Sequence, residues 1–166
     1  KANAEALLQE VHSDAVIFRL SWFFGQHRLG NGNIGHWQEQ LLGGQPLFGF
    51  IDEFRSAVSI SVAAKGIAQL IRYCEQQKRR ELTASAGEIY HLGGIETFSR
   101  YFFLQQLARL LGVDPHLVHC KKRKEVIMPA KRPADVSLDS RKARGAGYKT
   151  PFFMDMLKDT LNNASR

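Results

Sequence analysis

The sequence lacks the features that mark membrane, disulfide-rich and zinc-binding proteins. Its two cysteines, Cys74 and Cys120, are far apart and form no CxxC motif, so we interpret both as free thiols. The longest apolar runs, at 15–18 and 101–104, are far shorter than the roughly 20 residues of a membrane-spanning helix. Residues 1–10 are typical of a charged amphipathic helix rather than a signal peptide. We therefore expect no membrane span and a cytoplasmic location.

Two signatures of bound cofactors and metals are also missing. No glycine-rich fingerprint of the form GxGxxG or GxxGxxG occurs, although such glycines let a backbone approach the pyrophosphate of a dinucleotide. The six histidines include no HExxH motif, and His116 with His119 alone makes a poor metal site. We expect no bound metal, and no complete dinucleotide site within these residues.

The composition indicates a globular and basic protein. Of the 166 residues, 44% are hydrophobic and 23% are charged, and the formal net charge is +7. The basic run at 121–124 could neutralise phosphates, but such runs are commonly solvated loops. The aromatic residues are scattered through apolar patterns rather than interleaved with the charges as base-stacking platforms. Nucleic acid is therefore not the expected partner, and the excess charge can instead attract an anionic diphosphate substrate.

The order of predicted elements indicates an α/β fold. Helical spacing of apolar residues predicts a helix over 1–12. The continuous apolar run at 15–20 is typical of a parallel strand covered on both faces. Residues 21–33 are rich in glycine, aromatic and polar residues, which describes a loop at the end of a strand. Such loops are the usual site of ligand binding in open α/β sheets.

The rest of the chain continues the alternation of helices and strands. The predicted elements are helices at 34–42, 62–77, from Ser99 to Gly112 and 152–161, and strands at 47–51, 57–60 (as an exposed edge), 88–92, 117–118 and near 126–128. Ser61 and Ser99 can cap helices, Pro151 suits a first helical turn, and 76–81 is a polar exit loop. No repeat or linker divides the chain, so we predict a single domain over 1–166.

Several motifs, taken in order, resemble one enzyme family. They are FRLSWFFG at 18–25, DEFRSAVSI at 52–60, GEIYHLGG at 87–94 and KRPADVSLD at 131–139. Together they resemble the dTDP-4-dehydrorhamnose reductase group of extended short-chain dehydrogenases, which are sugar-nucleotide reductases. Within the second motif, Ala57 replaces the usual proline.

The resemblance has consequences for the fold and for the activity. It implies the C-terminal part of an NAD(P)-binding Rossmann-type fold with its small α/β substrate-binding lobe, the dinucleotide-binding half being absent. The parent enzyme would use NADPH or NADH to reduce a 4-keto nucleotide sugar, and this portion alone would be inactive. The alternative is a non-catalytic nucleotide-sugar-binding or regulatory subunit, because 132–152 is also similar to the regulatory beta subunit of methionine adenosyltransferase.

The same resemblance assigns a catalytic residue. Lys1 corresponds to the lysine of the family's YxxxK element. There the tyrosine acts as general acid, while the lysine holds the nicotinamide ribose and lowers the tyrosine pKa.

The resemblance also assigns five substrate-binding residues. Trp22 offers a flat apolar face to a hexose, and Ser21 lines the nicotinamide edge. Asn33 lies where related enzymes read the nucleotide or the sugar. Arg55 and Arg132 are candidates to clamp a diphosphate, although Arg132 could instead pair with a nearby aspartate. The expected partner is a nucleotide-diphosphate sugar, and a homodimer is left open.

Overall fold

A computed structural model of the chain describes residues 2–25, 33–79, 87–127, 130 and 132–163. Within these residues there are six α-helices and eight short β-strands. The helices are α1 (Ala2–Val11), α2 (Asn33–Leu42), α3 (Ile60–Arg79), α4 (Arg100–Leu110), α5 (Arg141–Gly145) and α6 (Phe153–Asn162). The strands are β1 (Ile17–Leu20), β2 (Phe23–Phe24), β3 (Leu47–Phe50), β4 (Phe54–Arg55), β5 (Val58–Ser59), β6 (Ile89–Leu92), β7 (Phe98–Ser99) and β8 (Val118–Lys121). The predicted α/β class is confirmed.

The strands pair two by two, and three of the four pairs are parallel. β1 pairs with β6, β2 with β5 and β3 with β8 in parallel, whereas β4 and β7 are antiparallel. Parallel neighbours need long connections, and the connection from β1 to β6 includes α2 and α3. The prediction of an exposed edge strand at 57–60 is wrong, because Ala57, Val58 and Ser59 are all buried and Val58 lies opposite Phe23.

Two hydrophobic clusters form the core. In the larger one the rings of Phe24, Phe98, Phe103 and Phe153 contact one another, with centroid distances from 4.2 to 6.3 Å. The smaller cluster joins α3, β6, α5 and the segment after α5. It consists of Leu70, Cys74, Tyr90, Leu92, Ala143, Ala146 and Tyr148. The aromatic cluster is the one that supports the site described below.

The N-termini of α4 and α6 show which of the predicted features form. The Ser99 hydroxyl accepts a hydrogen bond from the Phe102 amide at 3.2 Å, which confirms the predicted cap of α4. In α6 the N-cap is Phe152, so Pro151 precedes the cap instead of occupying the first turn. No strand forms at 126–127, the described part of the segment predicted near 126–128.

Helix α3 is longer than its sequence pattern predicts. It begins before Ser61, and the Ser59 hydroxyl accepts a hydrogen bond from the Val62 amide at 3.3 Å. Ser59 rather than Ser61 therefore caps this helix. The helix continues to Arg79, so the part of the predicted exit loop before residue 80 is helical. None of the described helices is both long and apolar enough to cross a bilayer.

Candidate functional site

Strand β4 lies between two other segments of the chain. On one side it pairs with β7, where Arg55 lies opposite Phe98. On the other side Phe54 forms a bridge with Asp135, and the Phe54 amide donates a hydrogen bond to the Ala134 carbonyl at 2.7 Å. Backbone hydrogen bonding therefore joins three segments that are distant in sequence.

These three segments bring three arginines together. Arg55 belongs to β4, Arg100 directly follows β7, and Arg132 precedes the bridge on the far side of β4. We refer to Arg55, Arg100 and Arg132 as the arginine cluster. Their charges act on one another, since the positive charges of Arg132 and Arg55 both help to lower the pKa of Arg100.

A buried ion pair holds Arg55 in place. Its Nη2 donates to Oε1 of Glu53 at 2.6 Å, and its Nη1 donates to the Phe54 carbonyl at 2.6 Å. The Glu53 side chain is only 4% exposed. Its second oxygen, Oε2, is buried and has no hydrogen-bond partner among the described residues. The Arg55 guanidinium is thus fixed in direction by a carboxylate that is itself removed from water.

Arg100 has a different environment. Burial lowers the pKa of Arg100, repulsion from Arg132 and Arg55 lowers it further, and the negative charge of Glu53 opposes the change. Its Cζ lies 5.6 Å from the centroid of the Trp22 ring. Within the described residues no hydrogen bond or ion pair holds the guanidinium. An arginine stays charged in proteins, so this group retains donors for an external acceptor.

Trp22 connects the arginine cluster to the core. Its ring centroid lies 4.9 Å from that of Phe103 and 6.0 Å from that of Trp37. The indole is only partly buried and packs against the larger hydrophobic cluster. The structure therefore supports a core role for Trp22 while leaving part of the ring accessible, and contact with a sugar stays a prediction.

Ser21 is buried and its hydroxyl contacts another residue of the chain. It is 7% exposed, and its hydroxyl lies 3.2 Å from the Ser56 hydroxyl. Ser56 Oγ also accepts a hydrogen bond from the Leu138 amide at 2.9 Å. These contacts tie the end of β1 to the segment that follows Arg132. No contact bears on the predicted nicotinamide role of Ser21.

Asn33 belongs to α2, which contributes no residue to the arginine cluster. It is the exposed first residue of α2, four positions before Trp37. Residues four apart share a helix face, so Asn33 lies on the face whose Trp37 contacts Trp22. Its predicted role toward the nucleotide or the sugar stays a prediction.

The backbone of Arg132 is held by another basic residue. Arg123 donates through Nη1 to the Arg132 carbonyl, and the Arg123 amide donates to Asp52 Oδ1 at 3.0 Å. No ion pair of Arg132 with an aspartate appears in the described residues, and Asp139 pairs with Arg141 at 2.5 Å. The alternative prediction, an ion pair between Arg132 and a nearby aspartate, therefore has no support among the described residues.

The predicted catalytic residue Lys1 lies outside the described residues, so its role stays a prediction. The described part of the chain has no group of three or more metal-ligating side chains close enough together to hold an ion.

Sequence reasoning missed three residues of this site: Arg100, Glu53 and Trp37. The sequence did contain one signal for Arg100. It is the first residue of α4, where the helix dipole disfavours a cation, and an unfavourable residue at such a position indicates a role other than helix formation. Glu53 lies two positions before Arg55, and residues two apart in an extended segment share a face, which would have suggested the pair. Nothing in the spacing of Trp37 separates it from an ordinary core residue.

The arrangement is suited to binding an anion beside an apolar surface. Three guanidinium groups outnumber the two carboxylates near them, Glu53 and Asp135, and Glu53 already pairs with Arg55. Guanidinium groups bind phosphate oxygens with two parallel hydrogen bonds, and the accessible part of an indole can contact a sugar ring.

Comparison with solved structures shows the fold. A dTDP-4-dehydrorhamnose reductase from Clostridium acetobutylicum is 20% identical, with a TM-score of 0.80 over 100% of this chain and 54% of that one. The corresponding enzyme from Bacillus anthracis, solved with NADP, is 18% identical, with a TM-score of 0.73 over 98% and 53%. A dTDP-glucose 4,6-dehydratase double mutant from Streptomyces venezuelae, solved with NAD, is 25% identical, with a TM-score of 0.69 over 96% and 47%.

The chain spans about half the length of these structures. Their likeness confirms the prediction of a partial NAD(P)-binding fold. No curated protein matches the sequence. The similarity to the regulatory beta subunit of methionine adenosyltransferase finds no support in these comparisons.

A family model described as the RmlD substrate binding domain matches residues 1–166. Since that match covers the whole sequence, the chain belongs to the RmlD substrate-binding domain family.

Proposed function

We propose that this chain is the substrate-binding portion of an NAD(P)H-dependent sugar-nucleotide reductase that acts on a 4-keto nucleotide sugar. The observation that carries the proposal is Arg100, a partly buried guanidinium beside Trp22 with no hydrogen-bond acceptor among the described residues. A partly buried charge without a hydrogen-bonded partner costs free energy, because it has lost part of its hydration. A bound diphosphate would remove that cost, because its oxygens would accept hydrogen bonds from the Arg100 guanidinium.

Within the proposal each group has a defined task. Arg55 is held in one direction by Glu53 and offers a preorganised contact to one phosphate, while Arg100 and Arg132 contact the remaining oxygens. Trp22 contacts the apolar face of the sugar next to the diphosphate. Asn33 lies on the α2 face nearest to Trp22 and donates to a sugar or nucleotide oxygen.

The nicotinamide cofactor does not fit the described residues alone. The sequence has no glycine-rich phosphate loop, and the hydroxyl of Ser21 already contacts Ser56. We therefore assign the residues described here to the nucleotide sugar, and most of the cofactor site to the half of the relatives' length that this chain does not span. Lys1 would hold the nicotinamide ribose in the complete enzyme. By itself this chain, proposed as one domain, would bind the nucleotide sugar without reducing it.

The test is a calorimetric titration of this chain with dTDP and with UDP at low ionic strength. Binding of a nucleoside diphosphate is expected. Arg55→Met and Arg100→Met should each weaken it about tenfold or more, since a hydrogen bond to a charged group contributes about 1.5–3 kcal/mol. Arg109→Met is the matched control, because Arg109 is exposed on the same helix as Arg100.

Two results would contradict the proposal. One is binding that Arg109→Met weakens as much as Arg100→Met, since that would reflect net charge rather than a site. The other is the absence of binding to dTDP and to UDP together with no binding when NADPH is added.

A further inference from the structure

A fourth arginine, Arg123, contacts the arginine cluster from outside it. Arg123 begins a short 3₁₀ helix that follows β8, and its Nη1 donates a hydrogen bond to the Arg132 carbonyl. We propose that Arg123 is a positioning residue, which holds Arg132 where its guanidinium can bind the same anion as the rest of the arginine cluster. This inference rests on the proposed function, because it assigns a role at the same site.

Asp52 orients the Arg123 side chain. The two residues meet because β3 and β8 are paired with Phe50 opposite Lys121, and each lies two positions further along its own segment. Asp52 Oδ1 accepts a hydrogen bond from the Arg123 amide at 3.0 Å, and Oδ2 lies 3.6 Å from Arg123 Nε in an ion pair. The carboxylate thus holds one side of the guanidinium while Nη1 donates to the Arg132 carbonyl.

Arg132 has few other restraints. It is exposed, and Arg123 is its sole hydrogen-bond partner among the described residues. The next residue, Pro133, has no amide hydrogen to donate. The chain is bonded to β4 only from Ala134 onwards, beginning with the hydrogen bond from the Phe54 amide at 2.7 Å. The Arg123 contact therefore fixes the end of the segment that β4 does not hold.

This restraint matters because the guanidinium groups of the cluster repel one another. Burial lowers the pKa of Arg100, and the positive charges of Arg132 and Arg55 lower it further. Without a bound anion, repulsion favours conformations in which the exposed Arg132 moves away. A hydrogen bond that holds its backbone opposes this movement, so less conformational entropy is lost when the anion binds.

The test is a calorimetric titration of the 166-residue chain with dTDP in a double-mutant cycle. Arg123→Met should weaken binding about threefold to tenfold, because Arg132 must then be ordered on binding. Since Arg123 acts through Arg132, Arg123→Met/Arg132→Met should bind within about twofold of Arg132→Met alone. Lys124→Met is the control and should stay within about twofold of the wild type, because Lys124 is exposed and forms no hydrogen bond or ion pair with the described residues.

A second variant separates positioning from net charge by the sign of its effect. Asp52→Asn removes a negative charge beside Arg123, which by charge alone should tighten dTDP binding. Positioning instead predicts binding weaker by about twofold or more. The reason is that asparagine keeps an acceptor for the Arg123 amide but loses the ion pair that orients the guanidinium.

Hydrogen exchange of the ligand-free chain tests the restraint without dTDP. The Phe54 amide donates to the Ala134 carbonyl, and the Val136 amide donates to the Phe54 carbonyl at 3.3 Å. Both amides should exchange faster in Arg123→Met than in the wild type, because the segment is then free at one end. Lys124→Met should leave both rates unchanged.

Three outcomes would overturn this inference. The first is dTDP binding that Arg123→Met leaves unchanged. The second is a double variant whose loss is the sum of the two single losses, which would make Arg123 a direct contact or a contribution of net charge. The third is tighter binding in Asp52→Asn, the variant that carries the test if Arg123→Met exchanges faster throughout the chain.

Failure of the proposed function gives a different result. In that case the wild type itself does not bind dTDP. The exchange of the Phe54 and Val136 amides then decides by itself whether Arg123 holds Arg132, and unchanged rates in Arg123→Met would overturn the restraint.

Discussion

Two arginine–glutamate pairs of similar chemistry lie in different environments in this protein. Arg19 on β1 bonds to Glu5 on α1 at 3.0 and 2.5 Å, and the two side chains are 42% and 22% exposed. Arg55 bonds to Glu53 at 2.6 Å, and those side chains are 16% and 4% exposed. The first pair joins two elements at the surface, whereas the second includes Arg55 of the arginine cluster.

The difference teaches what each pair can do. An exposed pair is weakened by water and salt, so Arg19 and Glu5 position α1, which has no buried residue, without adding much stability. A buried pair gives little net stability when intact, but removing one partner leaves a charge stranded away from water. The Arg55–Glu53 pair is therefore better explained as a device that directs a guanidinium than as a stabilising contact.

The largest expected effect comes from breaking the buried pair. Glu53→Leu should lower the free energy of unfolding by about 3–5 kcal/mol, because it leaves the Arg55 guanidinium without its carboxylate. Urea denaturation measures the change. Glu39→Gln, at an exposed position of α2, is the control and should stay within about 0.5 kcal/mol of the wild type. An unchanged urea midpoint in Glu53→Leu would show that water already reaches the pair.

A charge-conserving change compares the two pairs directly. Arg55→Lys keeps the positive charge but cannot reproduce both bonds, to Glu53 and to the Phe54 carbonyl, so we expect a loss of about 2 kcal/mol in urea denaturation. Arg19→Lys should have a much smaller effect in the same assay, because water replaces the lost contact. Equal losses in the two variants would mean that burial does not distinguish the pairs.

The third prediction separates function from stability within the arginine cluster. Arg100 is a partly desolvated cation without an acceptor, so Arg100→Met should raise the free energy of unfolding of the ligand-free chain by about 1 kcal/mol. The same variant should bind dTDP more weakly. Thermal unfolding with and without dTDP measures both effects. A variant that is less stable and binds dTDP normally would make Arg100 a structural residue.

Much of the fold could be predicted because its signals are local. Helix α1 and strand β1 follow from apolar spacing, and the cap of α4 follows from Ser99. One error occurred where long-range packing overrides the local pattern. Val58 and Ser59 alternate like an edge strand, yet pairing with β2 buries both of them.

The site was only partly predictable for the same reason. Family motifs identified Arg55 and Arg132, but their proximity depends on the bridge between Phe54 and Asp135, which no local pattern encodes. Arg100 was missed because its importance comes from what surrounds it. Burial, two neighbouring arginines and the Trp22 ring are properties of the tertiary structure rather than of the sequence around residue 100.

The smallest expected effect concerns the exposed pair. The hydrogen bonds from Arg19 hold the pKa of Glu5 below its ordinary value. A carboxylate with a lowered pKa contributes stability above its unfolded pKa, about 4.3 for glutamate, and loses that contribution as the pH falls below this value. Glu5→Gln should therefore lower the urea midpoint slightly at pH 7, and the difference from the wild type should close as the pH falls through the lowered pKa of Glu5.

The salt dependence of the stability loss distinguishes the two pairs in the same experiment. At about 1 M salt the Debye length falls to about 3 Å, so the difference between Glu5→Gln and the wild type should also close at pH 7. The loss in Glu53→Leu should persist there, because its cause is a desolvated charge that ions do not reach. A difference for Glu5→Gln that survives both acid and salt would mean that Glu5 stabilises α1 through packing of its side chain rather than through its charge.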